Sequence, residues 1–266
     1  MFSNPEKETK TIFLYNLKEN KKYEITSFIY DEDVYKSFQM DDDNIIIKGK
    51  DTIRVIKIKK KGVEFIQIID EIGYYSINKL SNKTILLGNF NNIKLYSYNN
   101  GKLIDDNHLI NINCINAYMI NENEIGIHTY DKGYFSQYDI LIFYDLKNDK
   151  QIASLKIGKT KQYSSWCCKT IGNNLIFYYD NKYLIIDTEK RKIIKEGKVE
   201  LRIWEIISLN EKIFLIRYDE KIEQYEIYNE KKVKYLSSFF IGYCSIYKYP
   251  GNRFLLRKNN KIYIYG

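Results

Sequence analysis

Residues able to act as nucleophile, general base or metal ligand are few in this chain of 266 residues. Histidine occurs at His108 and His128, and cysteine at Cys114, Cys167, Cys168 and Cys244. A catalytic Cys–His or Ser–His pair needs a base beside its nucleophile, and a zinc site needs paired ligands at short spacing. Neither pattern is present: two cysteines are adjacent, and there is no C-x-x-C, H-E-x-x-H, G-x-S-x-G or phosphate-cradling glycine loop. The acidic clusters Asp31-Glu32-Asp33, Asp41-Asp42-Asp43 and Asp70-Glu71 offer oxygen ligands. None alternates them around a central glycine as a calcium loop does, so they read as solvated turns. No catalytic residue, metal ligand or cofactor is therefore assigned, and no enzyme is expected. An alternative is an enzyme whose carboxylates assemble from distant segments in a channel.

The chemistry that remains is recognition by aromatic side chains. The segment HTYDKGYFSQYD, His128 to Asp139, carries Tyr130, Tyr134, Phe135 and Tyr138. Residues of this type are enriched at the energetic centres of interfaces. A second group comprises Tyr163, Trp166, Arg202 and Trp204, and it includes both tryptophans of the chain. These eight residues form the candidate partner-binding set. The competing expectation is that they pack the chain's own core, since Tyr35, Tyr75, Ile115, Trp166, Trp204 and Cys244 occupy one recurring column.

The formal charge of +8 admits an anionic partner. The basic residues are spread evenly and mixed with 34 acidic ones, so nucleic-acid or phosphoinositide binding is held only as an alternative. Hydrophobic residues make 44% of the chain and charged ones 29%, a globular balance. No apolar run approaches the roughly 18 residues of a membrane helix. The start MFSNPEKETK has no apolar signal segment, and the cysteines suggest no disulfide framework. A cytoplasmic location, with the nucleus left open, and a monomeric state are expected.

The elements that must position these residues show themselves as repeats. One column runs Tyr15, Ile58, Tyr98, Tyr144, Ile186, Tyr228 and Tyr265; another runs Met40, Leu80, Ile120, Ile171, Leu209 and Tyr249. Both recur at about forty residues, the length of four short strands forming one propeller blade. The segment Tyr74–Leu109 shows the unit: strands at Tyr74–Leu80, Thr84–Leu87, Ile93–Tyr98 and Leu103–Leu109, with Asn99-Asn100-Gly101 as a hairpin signal. Continuous runs such as Ile45-Ile46-Ile47 fit strands buried on both faces. The expected fold is all-β, a single closed β-propeller domain over residues 1–266 built of four-stranded antiparallel blades, six preferred to seven. Full repeats begin near Val34, Tyr74, Asn113, Ser165 and Ile203; a hairpin over 11–29 completes the ring with the strands of 243–266.

These units resemble a degenerate form of the WD40 family. The nearest approach is ILIFYDLKNDKQIASL, Ile140 to Leu155, with Tyr144-Asp145 at the Trp-Asp position. Tyr15-Asn16, Tyr98-Asn99, Ile186-Asp187 and Tyr228-Asn229 are more distant counterparts, and no Trp-Asp or Gly-His dipeptide is retained. The resemblance implies a non-catalytic scaffold or adaptor that binds other proteins. Phosphoinositide-binding members carry Phe-Arg-Arg-Gly, which Arg253-Phe254 and Lys190-Arg191-Lys192 do not reproduce.

Overall fold

The computed structural model describes residues 12–16, 21–25, 36–59, 62–74, 76–89, 91–132, 137–159, 167–229, 232–240, 245–249, 253–258 and 261–265. Every regular element among them is a strand, 25 in all, and no helix is long and apolar enough to cross a membrane. The chain divides into two compact units, Met1–Met119 and Ile120–Gly266.

In the first unit β1 (Ile12–Asn16) and β2 (Lys21–Ile25) form a two-stranded hairpin of their own. One four-stranded antiparallel sheet follows from β3 (Lys36–Gln39), β4 (Asn44–Lys48), β5 (Thr52–Lys59) and β6 (Gly62–Asp70). The next contains β7 (Ser76–Lys79), β8 (Thr84–Gly88), β9 (Ile93–Asn99) and β10 (Lys102–Ile110). Met40, Ile46, Ile53 and Val55 of one sheet meet Ile77, Ile85, Leu87, Tyr96 and Tyr98 of the other in a shared core. β4 and β8 are thus covered on both faces, which is why their apolar residues run on without alternation. The turn after β9 needs positive φ at two positions and has it, 49° at Asn100 and 78° at Gly101.

The second unit repeats the design. Its first sheet is β11 (Asn116–Asn121, in which the division falls), β12 (Glu124–Lys132), β13 (Gln137–Asp145) and β14 (Lys150–Lys159). The following sheet contains β15 (Cys167–Ile171), β16 (Asn174–Tyr179), β17 (Lys182–Asp187) and β18 (Lys192–Lys198). Then come β19 (Glu205–Ser208), β20 (Ile213–Arg217), β21 (Lys221–Asn229) and β22 (Lys232–Phe240). A three-stranded sheet of β23 (Ser245–Tyr249), β24 (Arg253–Lys258) and β25 (Lys261–Tyr265) ends the chain.

The two repeat columns have a physical meaning. Tyr15, Ile58, Tyr98, Tyr144, Ile186, Tyr228 and Tyr265 all lie at the ends of β1, β5, β9, β13, β17, β21 and β25. Met40, Leu80 and Leu209 close the first strand of their sheets: each is buried, and each donates its N–H to the carbonyl four residues on. The turn that follows is held by a polar side chain. Asp41, Ser81, Asn121 and Asn210 each accept from the N–H two residues later.

The expected closed ring of six or seven four-stranded blades is corrected here. Five sheets have four strands, and the closed propeller is not formed. The repeat supplies a full set of strands only five times. β1–β2 makes a two-stranded sheet and β23–β25 a separate three-stranded one, so a sixth four-stranded blade is missing among the described residues.

Candidate functional site

In an antiparallel four-stranded sheet, the segment leading into the first strand and the turn joining the second to the third lie on one edge. In the second unit this edge gathers the lead-in residues Arg202, Ile203 and Trp204, the turn after β16 at Asp180, and the turn after β20 at Asp219. A cleft of 440 Å³ opens there, lined by Cys167, Tyr178, Tyr179, Asp180, Arg202, Ile203 and Trp204.

Trp204 is held rather than loose. Its backbone N–H donates to the Arg217 carbonyl at 2.9 Å, and its indole Nε1 donates to Asp219 Oδ1 at 2.6 Å. The residue is still 45% exposed, so fixing it has not hidden it. The Arg202 guanidinium lies 4.4 Å from the ring centroid, a cation–π distance. The floor is set by Ile203, which is buried and donates its N–H to the Asp180 carbonyl at 2.6 Å. Asp180 sits at a φ of 55°, in the left-handed region that Asp tolerates better than most residues.

Neither the Cys167 thiol nor the Tyr178 phenol of the cleft wall ionises readily. Burial pushes the Cys167 thiol up, outweighing the hydrogen bond with Tyr178 and the charge of Lys169. A thiol raised in this way is not a thiolate at neutral pH, and the thiolate is the nucleophilic form. Burial, and then the neighbouring Cys167, also push the Tyr178 hydroxyl up, so it offers no base. Among the described residues no cluster of three His, Cys, Asp or Glu is placed to hold a metal ion.

Of the eight candidates, the structure brings Arg202 and Trp204 together. Tyr130 and Tyr138 lie on adjacent strands but do not form one patch. The register pairs Tyr130 with Asp139 and Tyr138 with Asp131, so the two rings leave opposite faces of the sheet. The Tyr138 ring is covered by Lys156, 3.3 Å from its centroid, with Lys159 at 5.7 Å. Tyr134, Phe135, Tyr163 and Trp166 lie outside the described residues. The segment expected to be a loop over Thr129–Tyr138 is mostly an extension of β12 and β13, paired as far as Lys132 and Gln137. Thr129, Tyr130, Tyr138 and Ile140, residue types that favour strands, carry the ladder past the point where the neighbouring sheets turn.

Beneath that extension lies a buried polar pair. His128 Nε2 and Asp139 Oδ1 are 2.6 Å apart with side chains 1% and 0% exposed. The imidazole meets Phe177 of the next sheet edge to face at 5.3 Å. Sequence reasoning set His128 aside because it falls in no nucleophile–base or paired-ligand pattern, and its partner is a carboxylate across the hairpin. It also passed over Cys167, Tyr178, Tyr179, Asp180 and Asp219. A usable signal existed, for Tyr-Asp recurs near the end of the second strand as Tyr130-Asp131, Tyr179-Asp180 and Tyr218-Asp219.

No family model matches the chain, and no curated protein does. Solved structures do match. A chain of the mitotic checkpoint complex is similar at a TM-score of 0.68 and 6% identity, covering 95% of this chain and 79% of that one. Hsv2 of Kluyvelomyces marxianus is similar at 0.63 and 12%, covering 88% and 80%. The Cps50 (Swd1) β-propeller domain of Myceliophteria thermophila is similar at 0.57 and 12%, covering 88% and 86%. At so slight a sequence identity these likenesses speak of fold alone: repeated four-stranded antiparallel units of the kind found in a β-propeller domain.

Proposed function

We propose that this protein is a non-catalytic interaction scaffold, and that its partner surface is the edge of the second unit around Trp204 and Arg202. The observation that carries this reading is the state of Trp204: a large aromatic residue, anchored at backbone and indole yet 45% exposed beside a 440 Å³ cleft. A pre-fixed aromatic loses little freedom on binding, which is what suits such a residue to the centre of an interface. The fold agrees with a scaffold role, since one of the similar chains comes from a protein complex. Tyr130, on the extended hairpin of the same edge, is placed as a flank of this surface rather than its centre, with Tyr134, Phe135, Tyr163 and Trp166 as further candidates.

The test compares Trp204→Ala with Asn121→Ala/Asn123→Ala, a pair in a turn on the opposite edge. Partners are captured from the native cell extract with the wild-type protein, identified, and measured against both variants. Loss of a central ring should weaken binding by about 2 kcal/mol, while the control pair should bind as wild type. Equal retention by Trp204→Ala, with unchanged circular dichroism, refutes the assignment.

A further inference from the structure

We infer that the cleft beside Trp204 takes an acidic peptide segment, with a side-chain carboxylate on Arg202 and a neighbouring apolar side chain against Trp204, Tyr178 and Cys167. This rests on the partner surface proposed above and adds the chemistry of what it binds.

The sign of the ligand follows from what already occupies the aromatic face. An exposed indole flanked by tyrosines and a carboxylate would ordinarily suit a cation. Here the ring carries an internal cation, with Arg202 4.4 Å from its centroid. A second positive group would have to displace it or sit against it. A guanidinium held over a ring keeps N–H groups that can donate to a carboxylate. Among the described residues no carboxylate is paired with Arg202, whereas Arg191, Arg217, Lys94 and Lys221 each have an acidic partner. Arg202 is exposed and lines the cleft, so its fork is presented to whatever enters.

The number of charges on the ligand is limited by the neighbourhood. Asp180 lines the same cleft, Glu205 follows Trp204, and Asp219 holds the indole. A single carboxylate fits a guanidinium fork in bidentate fashion. A phosphate group, with nearly two charges, would face three carboxylates for the same pair of bonds. The apolar requirement comes from the walls: the Ile203 floor is buried, the Trp204 side chain is partly exposed, and the Cys167 thiol is neutral.

The experiment is calorimetric titration of the full chain with an N-acetylated, C-amidated glycine–serine peptide carrying one leucine–glutamate–leucine core. Matched peptides carry glutamine or lysine in place of glutamate; vesicles of phosphatidylcholine with phosphatidylinositol phosphate, and inorganic phosphate, form the other arms. The glutamate peptide should bind about tenfold tighter than the glutamine peptide, the worth of a charge-assisted pair. Arg202→Gln should erase that ratio, and Arg202→Lys should keep only part of it. Undetectable binding of the glutamate peptide, tighter binding of the lysine peptide, or an unchanged ratio in Arg202→Gln overturns the inference. Arg202-dependent binding of the vesicles or phosphate in preference to the peptide also overturns it. If Arg202→Gln retains the partners that Trp204→Ala loses, the surface stands and only its acidic ligand fails.

Discussion

Replacing His128 by leucine should destabilise this protein far more than replacing His128 and Asp139 together. The two side chains are buried at 1% and 0% exposure and meet at 2.6 Å. His128 Nδ1 and Asp139 Oδ2 have no hydrogen-bond partner among the described residues, so neither group has a substitute for the other. His128→Leu leaves a carboxylate buried with nothing to bond it, which costs about 3–5 kcal/mol. Asp139→Leu strands only an imidazole nitrogen and should cost about 1–3 kcal/mol. The double leucine variant removes both orphans and adds apolar volume against Phe177, so it should be less destabilised than His128→Leu alone. Urea unfolding, followed by tryptophan emission and circular dichroism, measures all four proteins, and the midpoints are compared only where the slopes agree. A double variant whose loss equals the sum of the single losses would show that the pair is not coupled and would refute the reasoning. The pair also has a positional role. A one-residue slip of β13 on β12 would carry Asp139 to the opposite face, so the buried bond holds the register on which the placement of Tyr130 depends.

Two further substitutions probe how neighbouring sheets are joined. Gly172→Ala puts a side chain at a φ of 54° and a Cβ 2.5 Å from the Glu211 carbonyl, so a loss of about 2 kcal/mol or more is expected on urea unfolding; a wild-type midpoint would contradict the close approach of the two turns. Tyr98→Phe removes the hydroxyl that donates to Asp41 Oδ2 at 2.6 Å and should cost about 1 kcal/mol at neutral pH. Burial would raise the Asp41 carboxyl, but hydrogen bonds from Tyr98, Asn44 and two backbone N–H groups outweigh it and hold it below the ordinary carboxylate range. A lowered carboxylate contributes stability above its unfolded value and loses it as the pH falls through its folded one. The gap between Tyr98→Phe and wild type should therefore close in acid, and a gap independent of pH would show that the hydroxyl matters only through packing.

Much of the fold was legible because burial repeats. Met40, Leu80 and Leu209 must be apolar, since each closes a first strand against the neighbouring sheet, and that need recurs with every unit. Turn chemistry was legible for the same reason, as at Asn100-Gly101, where only residues tolerant of positive φ will serve. The number of complete sheets was not. Assigning 11–29 to the ring was a count of strands, but β1–β2 and β23–β25 are hydrogen-bonded as separate sheets, and a strand count carries no information on which edges meet. The hairpin of β12 and β13 failed differently: an insertion in one repeat was read as loop because its neighbours turn early, although Thr129, Tyr130, Tyr138 and Ile140 favour strand and could continue the ladder.

Half of the site was legible and half was not, and the division follows the direction in which each residue acts. Arg202 and Trp204 stand out in sequence because guanidinium and indole have few other uses on a turn. Their neighbours do not stand out, because Cys167, Tyr178 and Asp180 come from the sheet before and are brought beside Trp204 only by the packing of β15 and β16 against β19 and β20. Tyr130 and Tyr138 show the converse error. Sequence proximity joined them into one aromatic patch, yet the period of two in a strand sends them to opposite faces. On a sheet edge, then, aromatic content in a segment does not measure surface. What makes Trp204 a candidate is that its backbone N–H and indole are both bonded to its own sheet while the residue stays exposed beside the cleft. Tyr138 does not line the cleft, and its ring leaves the hairpin on the face opposite Tyr130, which removes it from the centre of the proposed surface.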